Sequence, residues 1–99
     1  MHRIVVQYFD PADPDAFDAR YRDEHVALAK AIPGVVDFQL SHPRGLRGVT
    51  PYLVVEMSFA DEDAVATALQ SAEFAEAGKH AAGFEVASTA LYISAPQQA

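Results

Sequence analysis

The apolar positions of the chain change period along its length. Residues 3–9 form a β-branched and aromatic run, which predicts a first strand. The period then lengthens. Phe17, Tyr21, His25, Leu28 and Ile32 follow one another at spacings of four, four, three and four, one face of a helix over 14–32. Both helix ends are signed: Asp13 can accept a backbone N–H as N-cap, and Pro14 suits the first helical position. Pro33 cannot continue a helix, and Gly34 lets the chain turn.

Residues 35–42 alternate Val36, Phe38 and Leu40 against Asp37, Gln39 and Ser41, a second strand. The stretch 42–51 carries two prolines, two glycines and two arginines, and reads as a loop. A third strand over 52–59 places Leu53, Val55, Met57 and Phe59 on one face. Asp61 caps a second helix in which Val65, Ala68, Leu69 and Ala72 keep helical spacing. Residues 71–82 are alanine-rich, with Phe74 and Gly78, and read as a shorter helix or a broken continuation. Residues 86–93 give a fourth strand. The order β-α-β-β-α-β predicts an α+β, ferredoxin-like fold with both helices on one sheet face. Residues 1–95 are expected to form a single domain and 96–99 a flexible tail.

That architecture leaves a second sheet face, carrying Asp37, Gln39 and Ser41 from one strand and Tyr52, Val54, Glu56 and Ser58 from the next. Such a mixed surface meets either water or the same surface of another subunit. Alternation by itself favours water.

Composition narrows the function. Ninety-nine residues leave no room for two cores, and half of them are apolar, with ten aromatics. Fourteen acidic against seven basic residues give a net charge of −7. That disfavours nucleic-acid backbones, which require clustered lysine and arginine, and anionic membrane surfaces. No cysteine is present, so disulfides, thiol catalysis and thiolate metal sites are excluded. Met-His-Arg leads directly into a strand with no signal-peptide pattern, and no apolar run reaches membrane-spanning length; the expectation is a soluble, cytoplasmic protein.

The candidate chemistry lies on the first helix. His25, one turn after Tyr21, interrupts an otherwise apolar stripe, and imidazole titrates near neutral pH. The pair can supply a proton donor or acceptor and an orienting hydroxyl. The plainer alternative is a core histidine bonded to Tyr21 or a carbonyl, and periodicity alone favours it. Asp10, Asp13, Asp15 and Asp18 lack the glycine and distal glutamate of a calcium loop; acids at a helix start need no further explanation. His2, His42 and His80 lack paired metal-ligand spacing and are expected at the surface. No metal site is expected. Arg44 and Arg47 can fold over an anionic ligand as a lid, but a solvated mobile loop is the favoured reading. No phosphate-cradling glycine loop follows a strand, so no nucleotide cofactor is expected.

Residues Tyr8, Pro11, Asp13, Pro14, Phe17, Tyr21, His25, Ile32, Pro33 and Gly34 together resemble the N-terminal signature of the EthD family. The one departure is Val26-Ala27 after His25, where the family pattern usually reads x-Pro before Leu28. Without that proline the helix is expected to stay regular. The resemblance implies a homodimer in which two sheets pair into a dimeric α+β barrel, reversing the preference for water on the second face. Because the family pattern keeps a histidine here, it brings the catalytic reading of His25 level with the structural one. It also implies a small apolar, cyclic or aromatic ligand. A cavity between the first helix and the sheet is expected, lined by some of Tyr8, Tyr21, His25, Phe38 and Met57. His25 and Tyr21 would be catalytic, and Tyr8, Phe38 and Met57 ligand-binding. Relatives are described as oxidoreductase-associated, cyclase-like or dehydratase-like. A non-catalytic carrier or assembly module using the same pocket is the alternative. Haem binding is known in the wider barrel superfamily, but only His25 speaks for it here, and no cofactor is expected.

Overall fold

Strand β1, His2–Pro11, sits inside the sheet of the computed structural model, which describes residues 1–99. It pairs antiparallel with β3 (Leu53–Phe59) on one side and β4 (Val86–Ser94) on the other. Strand β2 (Asp37–Ser41) pairs antiparallel with β3, giving the order β2-β3-β1-β4 of a ferredoxin-like fold. The register aligns Ile4 with Met57 and Ile93, and Val6 with Val55 and Leu91. With a side-chain period of two, this sends Ile4, Tyr8, Leu53, Val55 and Met57 to the helix-covered face, where all are buried. Burying each such side chain contributes about 1.5–3 kcal/mol.

The strand ends at a bend. Asp10 has φ +49°, a left-handed conformation that aspartate tolerates better than most residues, and it has no cross-strand partner between the pairs of Phe9 and Pro11. Beyond it, the Asp13 carboxylate accepts the Ala16 N–H at 3.2 Å with Pro14 in the first turn, as the sequence signals require.

The first helix is not the regular one expected over 14–32. It consists of α1 (Pro14–Arg20), a π-helical turn (Tyr21–His25) and α2 (Val26–Lys30), with the Val26 N–H reaching back five residues to the Tyr21 carbonyl. The stripe explains the need for it. In an α-helix each four-residue step advances about 40° around the axis, so a stripe of successive fours drifts off the core. The wider turn absorbs one extra residue and rotates α2 back toward the sheet. Phe17, Tyr21, His25, Ala29 and Ile32 are therefore the buried positions, and Leu28 is only half-buried. The absent proline after His25 does not keep the helix regular.

After Ile32 the chain reverses at Gly34, whose φ of +87° strains any residue with a β-carbon. Helix α3 (Glu62–Leu69) is capped by Asp61, which accepts the Ala64 N–H at 2.8 Å. The alanine-rich stretch forms a separate helix, α4 (Ala72–Ala81), so Ala72 opens that helix rather than extending α3. The Ser71 hydroxyl links the two: it donates to the Ala68 carbonyl at 2.6 Å and accepts the Phe74 N–H at 3.0 Å.

The opposite sheet face is mixed, with Val5 and Ser58 buried among polar neighbours, and carries its own contacts. Arg3 pairs with Glu56 at 3.6 Å, Gln7 donates to the Tyr92 hydroxyl at 3.1 Å, and Asp37 and Gln39 are exposed. Tyr52 does not belong to this face. It precedes β3, lies edge-on to Phe17, and donates its hydroxyl to Asp18 at 2.7 Å. On the helix face the cover stops short of β4: Leu91 and Ile93 point to that side yet are 56% and 53% exposed. No helix is long and apolar enough to cross a membrane.

Candidate functional site

The helices leave a cavity of about 430 Å³ against β1, β3 and β4. Such a volume suits a small organic ligand. Fourteen of its eighteen lining residues are hydrophobic, so its surface is largely apolar. Tyr8 and Met57 form its floor, Tyr21 and His25 one wall, and Phe74, Ala77, Ala81 and Phe84 the wall contributed by α4 and the turn after it. Its lining reaches the exposed side of β4 at Thr89 and Leu91, where it opens toward solvent.

Phe38 is not among the lining residues. It occupies the same sheet face as Met57, its cross-strand partner, but β2 is the edge strand farthest from β4. There it packs against the core beneath the Lys30 ammonium, 5.9 Å from its ring centre. Arg44 and Arg47 lie on the exposed β2–β3 loop and do not line the cavity. No three histidine, aspartate or glutamate side chains converge in a metal-binding group.

His25 is brought to the cavity by the π-helical turn and is buried. Its ring lies 4.9 Å from Tyr21 and 5.2 Å from Phe84. Its polar partner is neither Tyr21 nor a carbonyl but His80 on α4, with the two Nδ1 atoms 2.9 Å apart and the rings stacked at 26°. His80 is thus half-buried against the site, not at the surface. The far nitrogen of His80 faces the Glu24 carboxylate at 3.4 Å. Sequence spacing could not pair His25 with a residue 55 positions away. The available signal was the face of α4: Ala77 and His80 follow at i and i+3, which turns His80 inward.

These contacts favour one set of tautomers. Between two neutral imidazoles sharing one short contact, one nitrogen must donate and the other accept. The Glu24 carboxylate can only accept, which favours the His80 proton on Nε2 and a bare Nδ1. On that assignment His25 donates from Nδ1, and its Nε2 is the acceptor left over. Burial, with smaller contributions from His80 and Arg20, holds the His25 imidazolium down to about 4. His25 is accordingly neutral at physiological pH. Burial pushes the Tyr8 phenol up to about 12, and burial together with Tyr8 raises Tyr21 further, so both hydroxyls keep their protons as donors. The site offers one imidazole nitrogen and two phenols in an apolar enclosure, with the Tyr21 hydroxyl directed to Tyr8 and the Tyr8 hydroxyl left as the donor for the cavity.

Comparison with known proteins agrees with this architecture. Residues 10–86 match the family described as EthD domain. An uncharacterised 11.0 kDa protein of the thcB–thcC intergenic region in Rhodococcus erythropolis is 34% identical over 86 residues, covering 85% of this chain and 84% of that protein. The crystal structure of an ethyl tert-butyl ether D (EthD) family protein from Bacillus halodurans has a TM-score of 0.85 and 27% identity, covering 98% of this chain and 99% of that one. A dimeric ferredoxin-like protein of unknown function from Thermobifida fusca shares the fold at a TM-score of 0.72 and 16% identity, over 96% of this chain and 90% of that one.

Proposed function

This chain belongs to the EthD family, and on that premise we propose that it binds a largely apolar, cyclic or aromatic small molecule in the cavity and moves a proton on it through His25. The observation that carries this reading is a buried imidazole lining an enclosure in which fourteen of the eighteen lining residues are hydrophobic. A nitrogen so placed can take a proton from an acidic C–H or O–H of a bound compound, and Tyr8, itself accepting from Tyr21, can donate to the oxygen on which negative charge develops. Base-initiated cyclisations and dehydrations begin with such a step. The net charge of −7 favours an uncharged or weakly acidic ligand over a polyanion.

Binding is tested by thermal shift against small aromatic and lactone compounds. A true ligand at ten times its Kd stabilises the fold by about 1.4 kcal/mol and raises the Tm by several degrees. The effect should vanish in Ala81→Phe, which fills the cavity from α4. No shift from any apolar compound, or an equal shift in the blocked variant, would refute the reading.

The assembly we assign is a homodimer through the mixed sheet face bearing Arg3, Gln7, Asp37, Gln39 and Glu56. That face has no cover within the chain, and a small domain gains by burying a second surface. The fold it shares with the dimeric Thermobifida fusca protein points the same way. Light scattering at tens of micromolar should give twice the 10.7 kDa chain mass. A monomer mass would exclude the dimer.

A further inference from the structure

We propose that Glu24, His80 and His25 form a proton relay between solvent and cavity, in which the protonation of His80 decides whether His25 presents a lone pair or an N–H to the bound molecule. The three groups are ordered by exposure. His25 is 5% exposed, the His80 side chain 18% and the Glu24 side chain 58%. They are joined by contacts of 2.9 and 3.4 Å, so protons can pass along them without water entering the apolar cavity.

The two states come from donor counting. With His80 neutral, its Nε2–H faces Glu24, its Nδ1 accepts from His25, and His25 Nε2 is a proton acceptor. An imidazolium at position 80 has N–H groups on both nitrogens, and the 2.9 Å contact then requires His25 Nδ1 to accept. Neutral His25 must then carry its proton on Nε2. The cavity-facing nitrogen has become a donor.

Transfer is balanced. The ligand O–H or C–H bond breaks and its proton goes to His25 Nε2. The His25 Nδ1–H bond breaks and that proton goes to His80 Nδ1. The ligand now carries one negative charge and His80 one positive charge against Glu24. The Nε2 proton of His80 can then leave to solvent, or the sequence can reverse and return a proton to the ligand. Because His25 is held down to about 4, an arriving proton does not stay on that ring.

The other charges and titratable groups around the pair are Arg20, Tyr21 and Tyr8. The Arg20 guanidinium lies over the Phe84 ring at 5.2 Å, bonds the Gly83 carbonyl at 3.0 Å and approaches Glu24 at 3.9 Å. Tyr21 and Tyr8 are retained as neutral phenols. On α4 the neighbouring Glu76 and Lys79 are exposed. None of these supplies a second acceptor in line with His80.

The relay rests on the proton-moving reading of His25 for its use, but its test needs no substrate. Long-range ¹H–¹⁵N spectra of the ¹⁵N-labelled chain should be recorded from pH 8 to 4.5. At pH 8 His25 should show Nδ1 protonated and Nε2 bare, with His80 protonated on Nε2. As His80 takes up its second proton, the two His25 nitrogens should exchange character with the same midpoint. Glu24→Leu, at an exposed position, removes the acceptor from the His80 Nε2–H and should weaken the preference of His80 for that tautomer in the pH 8 spectrum. His80→Gln should abolish the exchange. A His25 tautomer that is unchanged across the pH range overturns the relay, as does a His80 tautomer indifferent to Glu24→Leu. Should the tautomers exchange in a protein that binds no ligand, the relay stands and the functional reading falls.

Discussion

His25→Gln is expected to lower turnover by roughly a hundredfold or more while leaving the fold and ligand binding in place, the usual contribution of a positioned proton-transfer group. Glutamine has similar volume, and its amide can still donate to the bare Nδ1 of His80, so the 2.9 Å contact has a substitute. What it cannot do is titrate. A carrier would show altered affinity at most, with no reaction to slow. A purely structural histidine would show a lower Tm, with activity per folded molecule unchanged. The same variant tests the electrostatics. The folded-state value of His25 is lowered from 6.5 to about 4, so the unfolded chain binds the proton more readily. The stability this gives is fully present above about pH 6.5 and is lost as pH falls from there towards 4. The loss amounts to about 1–3 kcal/mol, since a ring bordering a cavity is less completely desolvated than one in a closed core. Denaturant titrations at pH 7.5 and 4.5 should show this extra loss in the wild type and not in His25→Gln. Parallel pH dependences in the two proteins would remove His25 as its source.

Phe84→Ala should cost about 3 kcal/mol, the lower end of the range for truncating a buried phenylalanine. Phe84 is where the rings meet. Its centre lies 5.0 Å from Phe17, 5.2 Å from His25, 5.4 Å from His80, 5.7 Å from Tyr8 and 5.8 Å from Tyr21. It also supports the Arg20 guanidinium. Edge-on and tilted ring pairs add to the area term, which argues for a large effect. The void, however, would merge with a cavity already open at β4, so part of the usual cavity penalty is not incurred. For a domain of this size the corresponding fall in Tm is about 12 °C or more. A loss under about 1 kcal/mol by urea denaturation would mean that the cluster does not hold the α4 wall in place. Ligand binding should weaken together with stability here, in contrast to His25→Gln.

Much of this is legible in the sequence, and the limits have physical causes. Asp13-Pro14, Asp61 and the alternation along the strands are local signals, and local chemistry decides caps and pleats. The π-helical turn is not legible, because it answers to the sheet beneath the helix; spacings of four fit a slightly drifting α-helix equally well on paper. The choice between Leu28 and Ala29 depends on it. Tyr8, Tyr21, His25 and Met57 are placeable from periodicity and register, and they meet at one cavity. Phe38 is expected there on the correct sheet face but on the wrong strand, since alternation gives the side of a sheet and not the position across it. His80 escapes sequence reasoning for a related cause. Its significance lies in a contact between two helices distant in sequence, and its own helix reads only as a shorter helix or a broken continuation.

The bare edge of β4 has a kinetic meaning. Leu91 and Ile93 already stand in solvent beside the cavity mouth, with no loop folded across them. An apolar molecule can therefore touch down on this doorstep and slide inward without waiting for any part of the chain to open. Were the proposed ligand to enter here, its capture would be limited by encounter rather than by a gate, and discrimination among ligands would fall to how long each one stays.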